Sequence, residues 1–144
     1  MAYPLVLDSA GLSGLIDAKP SSRLRALMSI AHQRRRQVVV PSIVCAEVAR
    51  GRSRTRALES LITRHGPNQK GRSPLLLIDT DFDLARQIGA ILYSSGADST
   101  DIVDAHLIAT CLPFGGGLIA TSDPDDLLRL AEAVPAIRIN VTQV

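Results

Sequence analysis

Apolar residues along this chain fall into two kinds of run. Leu5-Val6-Leu7 after Pro4, Val38-Val39-Val40 before Pro41, and Leu75-Leu76-Leu77-Ile78 are short and continuous, as strands buried on both faces are. A fourth run, 118–121, follows a Gly115-Gly116-Gly117 turn, and residues 137–141 alternate with period two like an edge strand. Between these runs apolar residues recur at helical spacing. Ser21 or Ser22 is placed to cap a helix reaching about Arg35, Ser42 one reaching about Arg50, and Asp81 one reaching about Tyr93. Two further helices follow Thr100 and Asp123. Continuous apolar strands separated by helices predict an α/β fold, a parallel sheet covered on both faces and joined by right-handed crossovers. No linker, repeat or low-complexity segment interrupts the pattern, so the expectation is a single domain over residues 1–144. The Gly- and Pro-rich segment 66–74 reads as a surface loop.

Composition narrows this picture. With 144 residues, 46% of them apolar and only 3% aromatic, the core is expected to be aliphatic. Cys45 and Cys111 lie far apart without a C-x-x-C spacing, and read as small buried residues in a reducing compartment. The N-terminal apolar run is broken by Asp8 and Asp17, and no run approaches the ~18 residues of a membrane span. The expectation is a cytoplasmic protein with no membrane association.

A formal net charge of +2 conceals a division, since residues 19–72 hold 13 Lys/Arg against 2 acids and residues 73–144 hold 3 against 10. Single arginines are ordinarily solvated. The clustering of Arg34-Arg35-Arg36, and of Arg50, Arg52, Arg54 and Arg56, is what makes a polyanionic partner a reasonable expectation.

In an open parallel sheet, sites form beyond the carboxyl ends of the strands, and acids recur there. Asp8 directly follows the first strand; alone it explains only a turn cap over Ser9-Ala10-Gly11. Glu47, at helical spacing from Ile43 and Val44, is expected to point inward, where a carboxylate must pair with an Arg or bind a metal. Asp101 and Asp104 share a face at the start of a helix, with Asp101 placed as its N-cap. Asp123 ends the fourth strand and precedes Pro124, the position of another N-cap. Capping does not explain why Asp8, Glu47, Asp104 and Asp123 should all gather about one crevice. Together they are the donor set of a hard cation, Mg²⁺ or Mn²⁺, which activates a water for attack on a phosphodiester.

Leu7-Asp8-Ser9, the helical Glu47, Asp104-Ala105-His106-Leu107-Ile108-Ala109 and Thr121-Ser122-Asp123-Pro124-Asp125-Asp126-Leu127 together resemble the PIN-domain family, especially its VapC-type toxins. The resemblance spans nearly the whole chain. It implies a metal-dependent endoribonuclease of a toxin–antitoxin pair, with Asp8, Glu47 and Asp104 as core acids, Asp123 as a more variable fourth and Asp101 as an auxiliary acid. Asp125 and Asp126 stand beside them as further auxiliary candidates. It also implies a five-stranded parallel sheet in the order 3-2-1-4-5, a homodimer, and inhibition by a small antitoxin whose tail enters the acidic groove. Arg50, Arg52, Arg54 and Arg56 would then serve an RNA substrate.

Other chemistries lack their motifs. There is no G-x-x-x-x-G-K-[ST], no G-x-G-x-x-G after a strand and no G-x-S-x-G elbow. His32, His65 and His106 are scattered, and His106, two residues after Asp104 on a helix, is expected to face away from it. The alternatives left open are a non-catalytic RNA-binding module, whose carboxylates only cap helices, and a Mg²⁺-dependent phosphatase or DNase using the same acids.

Overall fold

Strands whose residues are apolar on both faces need cover on both sides, and the core is arranged accordingly. The computed structural model describes residues 3–17, 19–64 and 75–144; His65 and the 66–74 loop lie outside the described residues. Five parallel strands, β1 (Leu5–Leu7), β2 (Val38–Pro41), β3 (Leu75–Ile78), β4 (Gly116–Thr121) and β5 (Arg138–Gln143), form one sheet in the order β3-β2-β1-β4-β5. Leu5, Val6 and Leu7 of β1 and Val38, Val39 and Val40 of β2 are all buried although neighbours point to opposite faces, so helices flank the sheet on both sides. β5 alternates in exposure, as an edge strand must, and pairs with β4 from Gly116↔Arg138 to Thr121↔Gln143.

Helices α1 (Ser9–Ile16), α2 (Ser22–Gln33), α3 (Ser42–Val48), α4 (Arg52–Arg64), α5 (Phe82–Ser95), α6 (Ile102–Cys111) and α7 (Pro124–Ala131) complete the described fold. Among the described residues no helix is long and apolar enough to cross a membrane. Two of these helices exceed the sequence pattern. Residues after Asp8, read as a turn, form α1, because the two glycines that lower its helix propensity sit where close packing demands them. A Cβ on Gly14 would lie 2.5 Å from Leu24 Cδ2 of α2. The second is α4, whose basic face hides a narrow apolar stripe that buries Leu58 and Leu61.

Helix α3 stops at Val48, short of Arg50, because Gly51 takes a left-handed φ of 97° and the chain turns. Arg54 holds that corner. Its Nε donates to the Val48 carbonyl oxygen at 3.1 Å, its Nη2 donates to Ser13 Oγ at 2.8 Å, and its Nη1 lies 3.9 Å from Asp17. Only Gly115 of the glycine triplet belongs to the turn, at φ 74°; Gly116 and Gly117 already pair as β4. A Cβ on Gly117 would meet Cys111 Sγ at 2.5 Å, so the absent side chain lets α6 settle on the strand.

The chain moves outward from β1 to β2 and β3, then returns to start β4 on the other flank of β1. This reversal opens a crevice at the carboxyl ends of β1 and β4, where the next residues are Asp8 and Ser122-Asp123.

Candidate metal centre

Asp8 is fixed by backbone donors from two elements. Its Oδ1 accepts the Gly11 N–H at 2.9 Å, capping α1, while its Oδ2 accepts the Ser122 N–H at 3.2 Å. The Asp8 N–H in turn donates to the Ala120 carbonyl oxygen at 3.1 Å. The carboxylate is thus a helix cap and a tie between β1 and β4, buried at the floor of the crevice. Capping leaves lone pairs on both oxygens, so the cap reading and the ligand reading coexist in one side chain.

Asp8, Glu47, Asp104 and Asp123 line one crevice of about 220 Å³, together with Thr100 and Ser122. The four expected acids, drawn from positions up to 115 residues apart, therefore line the same crevice, although among the described residues the set whose carboxylate oxygens lie within 4.8 Å of one another is Asp101, Asp104 and Asp126. Glu47 reaches it differently from the expectation. Val44 and Val48 form the buried stripe of α3, and Glu47, lying off that stripe, is exposed at the rim instead of facing the core.

Asp104, in the first turn of α6, is the electrostatic centre. Burial, followed by the negative charges of Asp126, Asp101, Asp8 and Asp123, pushes its pKa up to about 6. A cation held there would relieve both the burial cost and the mutual repulsion.

The remaining acids divide. Asp101 makes no cap bond to α6; Asp98 caps the 3-10 turn Ser99–Asp101 that leads into it, accepting the Thr100 N–H at 2.9 Å and the Thr100 hydroxyl at 2.5 Å. Those two hydrogen bonds hold the Asp98 carboxyl below its ordinary range. Freed from capping, Asp101 lies with Asp104 and Asp126 so that one carboxylate oxygen of each is within 4.8 Å of the others. Asp123 likewise makes no cap bond, and its own N–H donates to Thr121 Oγ1 at 3.0 Å. The charge of Asp123 and a hydrogen bond between the two carboxyl groups raise the pKa of Asp126. Asp125 is exposed and lines neither group.

Asp104 belongs to both sets, the crevice lined by Asp8, Glu47 and Asp123 and the triad with Asp101 and Asp126. Every ionisable donor in them is a carboxylate oxygen. That chemistry fits Mg²⁺ or Mn²⁺, and it does not fit the nitrogen and sulfur donors of a zinc site. His106 is a packed histidine. It is buried, its Nδ1 donates to the Ile102 carbonyl oxygen at 2.7 Å, and in the neutral ring the Thr80 hydroxyl donates to Nε2 at 3.0 Å. Cys111 is buried and its thiol is pushed up to about 12 by that burial, whereas Cys45 is only half-buried.

Sequence reasoning missed Arg129. Its Nη2 lies 3.3 Å from Asp101 Oδ1 and 3.8 Å from Asp126 Oδ1. The i, i+3 spacing of Asp126 and Arg129 on α7 was the available signal. Arg54 is committed to the corner described above, whereas Arg50, Arg52 and Arg56 are exposed.

Solved structures share the fold, three of them as follows. The FitAB complex bound to a DNA fragment matches with a TM-score of 0.64 and 19% identity, over 96% of this chain and 94% of that one. VapBC2 from Rickettsia felis, bound to a DNA fragment from its promoter, gives 0.63 and 15% over 96% and 98%. DNA-bound VapBC from Salmonella typhimurium gives 0.59 and 21% over 97% and 98%. No curated protein matches the chain by sequence. The PIN domain family model matches residues 5–133, which include Asp8, Glu47, Asp104 and Asp123, and with the sheet order and crevice already described it establishes that the chain belongs to the PIN-domain family.

Proposed function

We propose that this protein is a single-domain, Mg²⁺-dependent endoribonuclease, the toxin of a VapBC-type toxin–antitoxin pair. The observation that carries the reading is the convergence of Asp8, Glu47, Asp104 and Asp123 on one crevice, with Asp104 raised to about 6 by burial and by the carboxylates around it.

Asp8, Asp104 and Asp123 would hold the ion, with Glu47 at the rim. When bound, such an ion supplies positive charge for a phosphate oxygen and makes water a stronger acid. The chain's own residues do the rest. Backbone N–H groups of Gly11 and Ser122 fix the orientation of Asp8, so its charge is presented without rearrangement. Glu47, exposed beside the crevice, is free to accept a proton from an attacking water. Arg50, Arg52 and Arg56, on or beside α4, are available to hold backbone phosphates along the approach. Helix α4 packs against α1, which Asp8 caps, and against α3, which carries Glu47.

An antitoxin partner is supported by the FitAB and VapBC assemblies that share this fold, and an acidic crevice suits a cationic tail.

Asp104→Asn is the decisive variant, because it removes a charge from the crevice without depriving a backbone donor of its acceptor. Antitoxin-free wild type with Mg²⁺ is expected to cleave total cellular RNA, and EDTA or Asp104→Asn to reduce cleavage by orders of magnitude while binding survives. Cleavage that persists in EDTA rejects the metal mechanism, and a wild type that binds RNA without cutting it points to the binding module.

A further inference from the structure

Among the described residues, the guanidinium of Arg129 sits against two of the acids, and its position divides them. Asp101, Asp104 and Asp126 present oxygens within 4.8 Å of one another, close to the ~3–4 Å separations that ligands at 2.0–2.1 Å from a Mg²⁺ ion would have. Arg129 is already against two of the three, with Nη2 at 3.3 Å from Asp101 and 3.8 Å from Asp126. Asp101 is the more buried of the pair, its side chain 16% exposed against 47% for Asp126. A guanidinium keeps its charge at any pH the protein survives, so this neighbour is permanent. Asp8, Glu47, Asp104 and Asp123, by contrast, have no salt-bridge partner among the described residues.

We propose that Arg129 is a built-in counter-cation that withholds Asp101 and Asp126 from the metal and so limits the centre to one divalent ion, held on the side of Asp8, Asp104 and Asp123. Two-ion phosphodiester sites keep their cations about 3.5–4 Å apart and share a carboxylate between them. Asp104, common to the crevice and the triad, is the residue able to bridge such a pair here. For a second ion to enter, Asp101 and Asp126 would have to exchange Arg129 for it, and the displaced guanidinium would then repel the ion from close range. Arg129 is accordingly a positioning residue, setting which carboxylates remain available without touching the reacting atoms.

The inference rests on the crevice being the metal centre proposed above, and counting bound Mn²⁺ tests the two separately. Free Mn²⁺ is followed by its electron paramagnetic resonance signal during titration of wild type, Arg129→Gln and Arg129→Lys. The expected result is one ion per chain for wild type and Arg129→Lys and two for Arg129→Gln, with Asp101→Asn in the Arg129→Gln background returning the count to one. Equal counts and affinities in wild type and Arg129→Gln overturn the role of Arg129, and a count of one in both leaves the crevice reading standing. Two ions on wild type overturn it without recourse to any variant. No ion on wild type but one on Arg129→Gln supports Arg129 as the resident cation and rejects the crevice as the wild-type metal centre; no ion on either rejects both.

Discussion

Asp8 and Ser122 are 114 residues apart in the chain, yet the Ser122 N–H donates to Asp8 Oδ2 at 3.2 Å across the ends of β1 and β4. With the Gly11 N–H on Oδ1, both oxygens of one carboxylate answer backbone donors that would otherwise be unpaired. The residue that places negative charge in the crevice is therefore also a structural tie.

Substitution at Asp8 is expected to cost stability as well as activity. Asp8→Ala leaves two backbone N–H groups without acceptors and should lower unfolding free energy by about 2–3 kcal/mol. Asp8→Asn, with a single acceptor oxygen, should lose about half as much. Urea unfolding near pH 5, where Asp104 is largely protonated and repulsion within the crevice is small, reads the loss directly. A loss under about 0.5 kcal/mol for Asp8→Ala would contradict the tie.

Stability without metal should depend on pH through Asp104. Its folded pKa of about 6 lies above the ordinary carboxyl value near 3.9, so the folded state binds the proton more tightly than the unfolded state. Its contribution is therefore full below about pH 4 and is lost as pH rises through about 6. Asp104→Asn should match wild type in EDTA at pH 4 and exceed it at pH 7.5 by ~1 kcal/mol, a figure discounted for the group's partial exposure. Thermal midpoints at the two pH values check this, and a variant less stable than wild type at pH 7.5 would be the wrong sign.

Divalent ions should reverse that preference. Binding to the ionised crevice stabilises only the folded state, so ~1 mM Mn²⁺ should raise the thermal midpoint of wild type by several degrees above pH 6 and progressively less below it. Asp104→Asn should show little rise at either pH. An equal rise in both proteins would remove Asp104 from the site.

The arginines should separate by role. Arg54→Ala breaks the bonds to Val48 and Ser13 and should destabilise by about 1–2 kcal/mol while leaving the salt dependence of RNA binding unchanged. Arg52→Ala with Arg56→Ala should instead leave the thermal midpoint alone and flatten that salt dependence, by a slope of about one to two. Filter binding by Asp104→Asn from 50 to 300 mM salt measures the slopes. Exchange of these two outcomes would mean that the roles are assigned the wrong way round.

Gly117→Ala is expected to destabilise by about 1–3 kcal/mol, because the new methyl overlaps Cys111 Sγ in a close-packed interior. Cys111→Ala in the same chain should recover part of the loss, and a double-mutant cycle gives the coupling. Strict additivity would place the strain elsewhere.

What the sequence determined by itself was local and periodic. Runs such as Val38-Val39-Val40 announced strands because only a fully covered strand carries apolar residues at every position. Asp8 and Asp123 stood out because a carboxylate ending a parallel strand lies where that sheet opens. Resemblance in the order and spacing of these acids supplied the sheet order 3-2-1-4-5, which the strand register bears out. Helix α1 was hidden, because Gly11 and Gly14 weaken the helical signal and their reason is Leu7 and Leu24, contacts made only in the folded chain.

Only the tertiary structure decided how each acid is used. An amphipathic spacing gives the phase of Glu47 on α3 but not which elements cover that phase, and so an expected inward carboxylate lies exposed at the rim. The seating of Arg129 of α7 against Asp101, at the start of α6, depends on how those two helices pack. Charge interactions act through space at separations of a few ångströms, and the chain brings residues 8, 104 and 126 within that range only after the sheet has closed around β1.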